Sequence, residues 1–586
     1  FTVGIDGQTV TFTDFNSATL NGGDGDDDVT VTYLDGTAFT TTVAVNGQSP
    51  TGHVGDTLHV EGTTSGETIA LTASTITVVG SGAITYGTVE GLSIDALGGA
   101  DTITVTGSTA YDYTPSGSAD AGTLLADSLP ISFSNLGSGE TLNLDGTSLV
   151  AHGTDSDNTF ALSSTGLVLD SRVNITRTGL TTLTLDGLAG DDTFTIGSDH
   201  GYATVNVDGG SPSNTDVATI TADGLNPVTV TLGTSPVSTT DATVANTGIG
   251  TVTLSGVEVA NVVAGTQNVT VNGSGEDDDL TYQPTGAEAG TVTKAGLGVV
   301  TNLSGVGDLT IDGIGGDDTL TVVGTTAVDA FTVTATSVVH ASLQDANTIS
   351  NVDALSVSGG ESADTFGVTA GAIPIFIDGG DAIGAGDAIT IAADVNSATF
   401  NTGPETDEGS FAIGGAAGLV SFDHVESLTV VGTSVAGNAA TVNGNSADND
   451  ITLTATGTDD FTVGIDGQTV TFTDFNSASL SGDDGDDDVT VTVIAGFTTA
   501  VTVNGDSPTG HTGDTLHVEG TAAGETIAID LGLGTIDVGS ADPITFTTLE
   551  ALSVDAAGGV DTITVTGAAA YDYTPGSGSD EGTLVA

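Results

Sequence analysis

The sequence predicts an all-β chain wound as a parallel β-solenoid (β-helix) rod, and three observations predict it. The apolar pattern alternates residue by residue in short Thr-, Val- and Ile-rich runs, such as Asp101-Thr-Ile-Thr-Val-Thr, split by Gly-Asp and Gly-Ser clusters. That is the grammar of strands and turns. No stretch shows helical spacing, and no N-cap residue precedes an apolar helical stripe. Related phrases also return at irregular intervals, as expected when the corners of a repetitive fold tolerate insertions.

Tandem β-sandwich domains are the alternative. They need about seven strands and about 100 residues each, with large buried aromatics. Here aromatics are only 4% and Trp is absent. A solenoid asks only for small β-branched residues stacked on their own kind, with Gly and Asp making the tight corners. Strands about 4.8 Å apart would then extend the rod coil by coil.

Each element of this reading has its own phrase. One strand type opens on an acid: Asp101-Thr-Ile-Thr-Val, Asp192-Thr-Phe-Thr-Ile, Asp318-Thr-Leu-Thr-Val and Asp561-Thr-Ile-Thr-Val. A second leads into it: Ile84-Thr-Tyr-Gly-Thr-Val-Glu-Gly-Leu-Ser-Ile, with relatives starting at Ile349 and Ile544. A third reads Asp329-Ala-Phe-Thr-Val or Asp460-Phe-Thr-Val.

A larger repeat encloses these phrases. Phe1–Ala18 recur unchanged at Phe461–Ala478, Thr57-Leu-His-Val-Glu-Gly returns at Thr515, and Ala110-Tyr-Asp-Tyr-Thr-Pro at Ala570. Residues 1–460 are therefore expected to form one super-repeat, and 461–586 the start of the next, matching 1–126. The chain opens within a strand and carries no initiator Met, so it reads as an internal piece of a longer polypeptide.

Charge excludes more functions than it proposes. The 586 residues hold 77 Asp plus Glu against 3 Lys plus Arg, a formal charge of −74. With Arg172, Arg177 and Lys294 as the only such cations, no basic patch exists to neutralise a nucleic-acid backbone. An anionic membrane surface would repel the chain, and no apolar run is long enough for a membrane helix. At 37% hydrophobic residues the chain is too apolar for a disordered acidic tail. Cys is absent, which removes disulfides, thiolate catalysis and Cys-based zinc sites.

The Gly-Asp clusters carry a family resemblance. Gly22-Gly-Asp-Gly-Asp-Asp-Asp-Val-Thr resembles the nine-residue RTX (haemolysin-type) calcium-binding repeat, as do the segments starting at Gly187, Gly313 and Gly482 with one glycine changed. The preceding phrase, as in Val89-Glu-Gly-Leu and Val425-Glu-Ser-Leu, resembles the lead-in segments of large bacterial surface proteins. The resemblance implies a secreted, repetitive protein with a β-roll and Ca²⁺ between turns, and puts Asp27, Asp192, Asp318 and Asp487 at the ligand position. It departs from the family in that each motif stands alone, whereas RTX sites use adjacent nonapeptides.

Physical chemistry adds a separate reason to expect a cation. Consecutive Asp in one turn repel each other unless screened, and Ca²⁺ accepts carboxylate and carbonyl oxygens in flexible geometry. The candidate ligands are Asp24, Asp26, Asp27 and Asp28; Asp191 and Asp192; Asp317 and Asp318; and Asp483, Asp484, Asp486, Asp487 and Asp488. They are expected at corners between strands with their carboxylates converging. The competing reading is a solvated turn, since Asp side chains bond the backbone two residues on.

Nothing singular enough for catalysis stands out. His53 and His59 recur as His511 and His517 and so belong to the repeat. A glycosidase needs only two carboxylates, and 77 acids make that pattern uninformative. The expected role is therefore not enzymatic. It is a structural segment of an extracellular filament, stalk fibre or sheath at the cell surface, stabilised by calcium and associating with copies of itself. The stalk of a bacterial adhesin and a surface-layer subunit are the alternatives. Lack of Cys, Met and Trp leaves little to oxidise.

Overall fold

The computed structural model describes residues 1–5, 8–34, 36, 38–49, 55–211, 215–234, 240–381, 386–433, 437–508, 513–575 and 582–586. The chain forms two units, one of residues 1–276 and 288–312, the other of residues 277–287 and 313–586. Among the described residues there are strands and turns but no helix, and each unit is a parallel β-solenoid.

In the first unit, strand Thr182–Asp186 pairs in parallel with Thr204–Asp208, which pairs with Gly250–Ser255 one coil further on. The register stacks Leu183 on Val205 and Val252, and Leu185 on Val207 and Leu254. A second ladder runs through Thr159–Ser163, Thr193–Ile196, Val217–Thr221, Val259–Asn272 and Val300–Asp312. The second unit repeats the plan in Ala330–Thr334, Thr365–Thr369, Ala388–Ala392, Ser427–Val431 and Gln468–Thr473.

Alternation sets which side chains enter the core, because neighbours along a strand point to opposite faces. In Thr193–Ile196, Phe194 and Ile196 are buried and the two Thr face out. Like stacks on like: the Phe160 and Phe194 rings lie parallel at 4.9 Å, and Phe331 stacks on Phe366 at 5.6 Å. Such offset-stacked rings add to the apolar burial.

Not every strand is parallel. Antiparallel excursions leave the coil and return, as in Val228–Leu232, Ala242–Asn246 and Gly250–Ser255, or Ala398–Thr402, Gly409–Ile413 and Val420–Asp423. They account for the irregular spacing of the sequence phrases. Corner residues Asp192 and Asp216 are 24 residues apart across a coil without an excursion, whereas Asp216 and Glu258 are 42 apart across one that carries it.

The duplicated segment behaves differently in its two positions. Ile465, Val470 and Phe475 are buried, but the identical Ile5, Val10 and Phe15 are 66%, 52% and 56% exposed. In the second copy, Asp450–Ala455 pairs with Phe461–Ile465, and Ser427–Val431 pairs with Gln468–Thr473. Among the described residues, the first-copy hairpin, Thr2–Ile5 with Gln8–Thr11, pairs only within itself. Neighbouring coils, not local sequence, bury this hairpin.

Candidate functional site

The corner that ends at Asp192 shows how a Gly-Asp cluster is built. Strand Thr182–Asp186 ends, the chain turns through 187–192, and strand Thr193–Ile196 begins. Gly190 adopts φ 126°, which favours glycine. Gly187 is required by close approach: a Cβ there would lie 2.2 Å from Asp192 Oδ2 and 2.5 Å from the Gly209 carbonyl oxygen. The Asp192 carboxylate is thus folded back over the glycine that opens its own motif.

Its other oxygen joins the coils. The Asn158 N–H donates to Asp192 Oδ1 at 2.7 Å, and the Asp192 N–H donates to Asp216 Oδ1 at 2.6 Å. The Asp216 N–H donates in turn to Glu258 Oε2 at 2.7 Å. Carbonyls continue the link, since Asp192 O accepts the Val217 N–H. Residues at one corner of successive coils therefore form a column in which each side chain takes the backbone hydrogen of its counterpart.

The same column occurs three times. Asn158–Asp192–Asp216–Glu258 is matched by Asp329–Asp364–Asp387–Glu426, with bonds of 2.6, 2.6 and 2.5 Å, and by Asn449–Asp487–Asp514–Glu550, at 2.7, 2.9 and 2.8 Å. Shorter versions are Asp27–Asp56–Glu90 and Asp278–Asp318–Asp353. The foot makes a further side-chain hydrogen bond: Asn158 Nδ2 donates to Asp170, Asn449 Nδ2 donates to Asp466, and Asp329 Oδ1 lies 2.8 Å from His340 Nε2. The head is a Glu from a Val-Glu or Leu-Glu phrase, or Asp353.

Beside three of the columns, those through Asp192, Asp318 and Asp487, runs a second link in the opposite direction. The N–H groups of Asp191, Asp317 and Asp486 donate to Oδ1 of Asp157, Asp277 and Asp448, one coil earlier, at 2.9–3.0 Å. The Asp-Asp pair therefore binds backward through its first residue and forward through its second.

The middle members of the columns are buried carboxyls. Asp192, Asp216, Asp318, Asp364, Asp387, Asp487 and Asp514 are buried, and the Oδ2 of each has no hydrogen-bond partner. Burial, helped by the neighbouring carboxylates, pushes the Asp192 carboxyl up to about 7 and Asp364 up to about 6. Burial also raises Asp216, Asp318, Asp387, Asp487 and Asp514. A buried carboxyl with an unpaired oxygen favours its neutral form.

All thirteen candidate ligands lie at corners or strand ends, but not in one role. Asp27, Asp192, Asp318 and Asp487 are column members. Asp24, Asp26, Asp28, Asp191, Asp317, Asp483, Asp484 and Asp488 are exposed, and Asp486 is half-buried. Among the described residues, the only three acids with oxygens within 4.8 Å of one another are Asp459, Asp460 and Asp474, outside these clusters. There the Asp474 N–H donates to Asp460 Oδ1 at 3.0 Å.

The buried Asp do not fit a calcium site of the tandem RTX kind. In Asp192, Asp318 and Asp487 one oxygen accepts a backbone N–H and the other is closed over Gly187, Gly313 or Gly482, at 2.2–2.4 Å from where a Cβ would stand. A ligand needs an oxygen free to meet the ion at about 2.3–2.6 Å. The glycine and aspartate that produce the resemblance here serve the corner itself.

The cations and a repeated histidine are held by contacts within the fold. Lys294 is buried, with Nζ donating to the Gly233 carbonyl and Ser274 Oγ. Arg177 donates to the His200 and Leu180 carbonyls and covers the Tyr202 ring at 4.8 Å. His59 Nδ1 lies 2.7 Å from Ser93 Oγ, and His59 and His517 each lie 3.6 Å from a Glu two residues on. His53 and His511 lie outside the described residues.

The chain matches no protein-family model, and none of the curated proteins matches it.

Proposed function

We propose that the chain is a structural repeat segment of an extracellular filament, stalk fibre or sheath, without enzymatic activity. The observation that supports this most is the column, which recurs with Glu or Asp at its head and links coil to coil through buried side chains. A fold of this kind spends its polar residues on continuity along the stack, and neighbouring-coil interactions dominate the stability of such arrays. Lack of Cys, Met and Trp suits an oxidising exterior.

Calcium enters this reading as a counter-ion to the exposed corner carboxylates, not as a ligand of the buried ones. Self-association is the expected partnership, because a fibre extends by contacts between copies. Electron microscopy of the native material tests the proposal. Continuous ordered fibres support it, single projecting rods would make the chain an adhesin stalk, and a planar lattice would make it a surface-layer subunit.

A further inference from the structure

We propose that the column Asp329–Asp364–Asp387–Glu426 is a proton-operated lock, closed while it holds a proton and loosened when it releases it. Among the three four-residue columns, this one alone begins on an acid in place of Asn. That foot is fully bonded: Asp329 Oδ1 lies 2.8 Å from His340 Nε2, and Oδ2 accepts the Thr325 N–H at 2.6 Å. His340 Nδ1 accepts the N–H groups of Ser342 and Leu343 at 3.1 and 3.0 Å, so the ring hydrogen sits on Nε2 and points at Asp329.

The next two members lack such completion. Asp364 Oδ1 accepts the Asp329 N–H and Asp387 Oδ1 accepts the Asp364 N–H, but the Oδ2 of each is buried without a partner. The residues are 1% and 0% exposed. A Cβ on Gly359 would lie 2.4 Å from Asp364 Oδ2, and one on Gly379 2.6 Å from Asp387 Oδ2, so each oxygen is held against a glycine. A proton on either Oδ2 removes a buried charge and leaves the Oδ1 bonds in place.

The groups facing this pair set the direction. Asp329, Asp387 and His340 act on Asp364; Glu426, Asp378 and His424 act on Asp387. Burial is the largest influence on both and raises both, Asp364 to about 6. A raised carboxyl stabilises the fold fully below its unfolded value, about 4, and that stability is lost as pH rises through about 6. The strands that follow the column residues, Thr365–Thr369 and Ala388–Ala392, are the ones expected to loosen.

Hydrogen exchange on the full chain, with chelator present, tests the lock. After correction for intrinsic rates, protection of 365–369 and 388–392 should fall by up to about tenfold per pH unit between about pH 4.5 and 6.5. Asp364→Asn keeps the Oδ1 acceptor and should flatten that slope, whereas exposed Glu405→Gln should not. Infrared spectroscopy of the unmodified chain, which requires no variant to fold, should show protonated carboxyls near pH 5 whose signal declines as pH rises through about 6 for Asp364 and about 7 for Asp192. Exchange independent of pH, the same slope in Asp364→Asn and Asp387→Asn, or no protonated carboxyl would overturn the proposal.

Discussion

The backbone N–H of Asp192 donates to Oδ1 of Asp216 at 2.6 Å, across 24 residues of sequence and one coil of the solenoid. The bond does at a corner what strand ladders do along the faces. Corners are where backbone hydrogen bonding lapses, and an unpaired buried N–H is costly. A carboxylate from the next coil fills the gap, and the chain repeats this at each column.

The head of a column should be its most sensitive acceptor. Glu258→Ala leaves the Asp216 N–H unpaired at a buried position, at a cost of about 1–3 kcal/mol. Glu258→Gln keeps an acceptor and should cost much less. Denaturant midpoints and hydrogen exchange at 217–221 would check the order of the two variants.

Glycine substitutions should separate close approach from turn composition. Gly187→Ala and Gly359→Ala drive a Cβ against a carboxylate oxygen at 2.2 and 2.4 Å, and should cost about 1–3 kcal/mol. Gly315, in an equivalent cluster, has open space at its Cβ position, so Gly315→Ala should stay within about 0.5 kcal/mol. Comparable losses at all three positions would show that the corner does not depend on this packing.

Much of the fold was legible in the sequence. Alternating Thr, Val and Ile predict strands with one buried face, and the register of Leu183, Val205 and Val252 bears out the stacked solenoid. The antiparallel excursions were not legible, because a strand such as Ala242–Asn246, antiparallel to both its neighbours, carries the same alternation as parallel ones. The corner Asp at positions 27, 192, 318 and 487 stood out as motifs, but Asp216, Asp364, Asp387 and Asp514 did not. Their glycine partners lie at variable distances, as with Gly209 before Asp216 and Gly505 before Asp514. The Val-Glu phrases were visible as a separate motif. Only the coil register shows that Glu258 and Glu426 complete columns begun by Asn158 and Asp329.

The duplicated hairpin offers an internal control. Placing a copy of residues 427–460 ahead of Phe1 should supply the strands that pair with Phe461–Ile465 and Gln468–Thr473. Amide exchange over residues 2–11 should then slow toward that of 462–471. Unchanged exchange would mean that the cover depends on more than this segment.

Acid should stabilise the chain. The column carboxyls are raised, to about 7 at Asp192 and about 6 at Asp364. Their contribution is complete below the unfolded carboxyl value of about 4 and declines as pH rises through those values. With chelator present, Tm should be higher near pH 4.5 than near pH 7.5. A Tm that rises over this interval would contradict the assignment.

Divalent ions should act as screening charge. Ca²⁺ and Mg²⁺ at matched ionic strength should raise Tm alike, since the exposed corner acids offer no fixed cage. A response to Ca²⁺ that Mg²⁺ does not reproduce would point to a built site, with Asp459, Asp460 and Asp474 the first place to look.

The central claim is that the Gly-Asp corners are hydrogen-bonded columns. A crystal structure grown in excess calcium, resolved well enough to place carboxylate oxygens, tests it most directly. The Asp192 N–H should still meet Asp216 Oδ1 at about 2.6 Å, with Asp192 Oδ2 packed over Gly187. Carboxylates of Asp192 and Asp216 turned onto a shared ion at about 2.3–2.6 Å would contradict it.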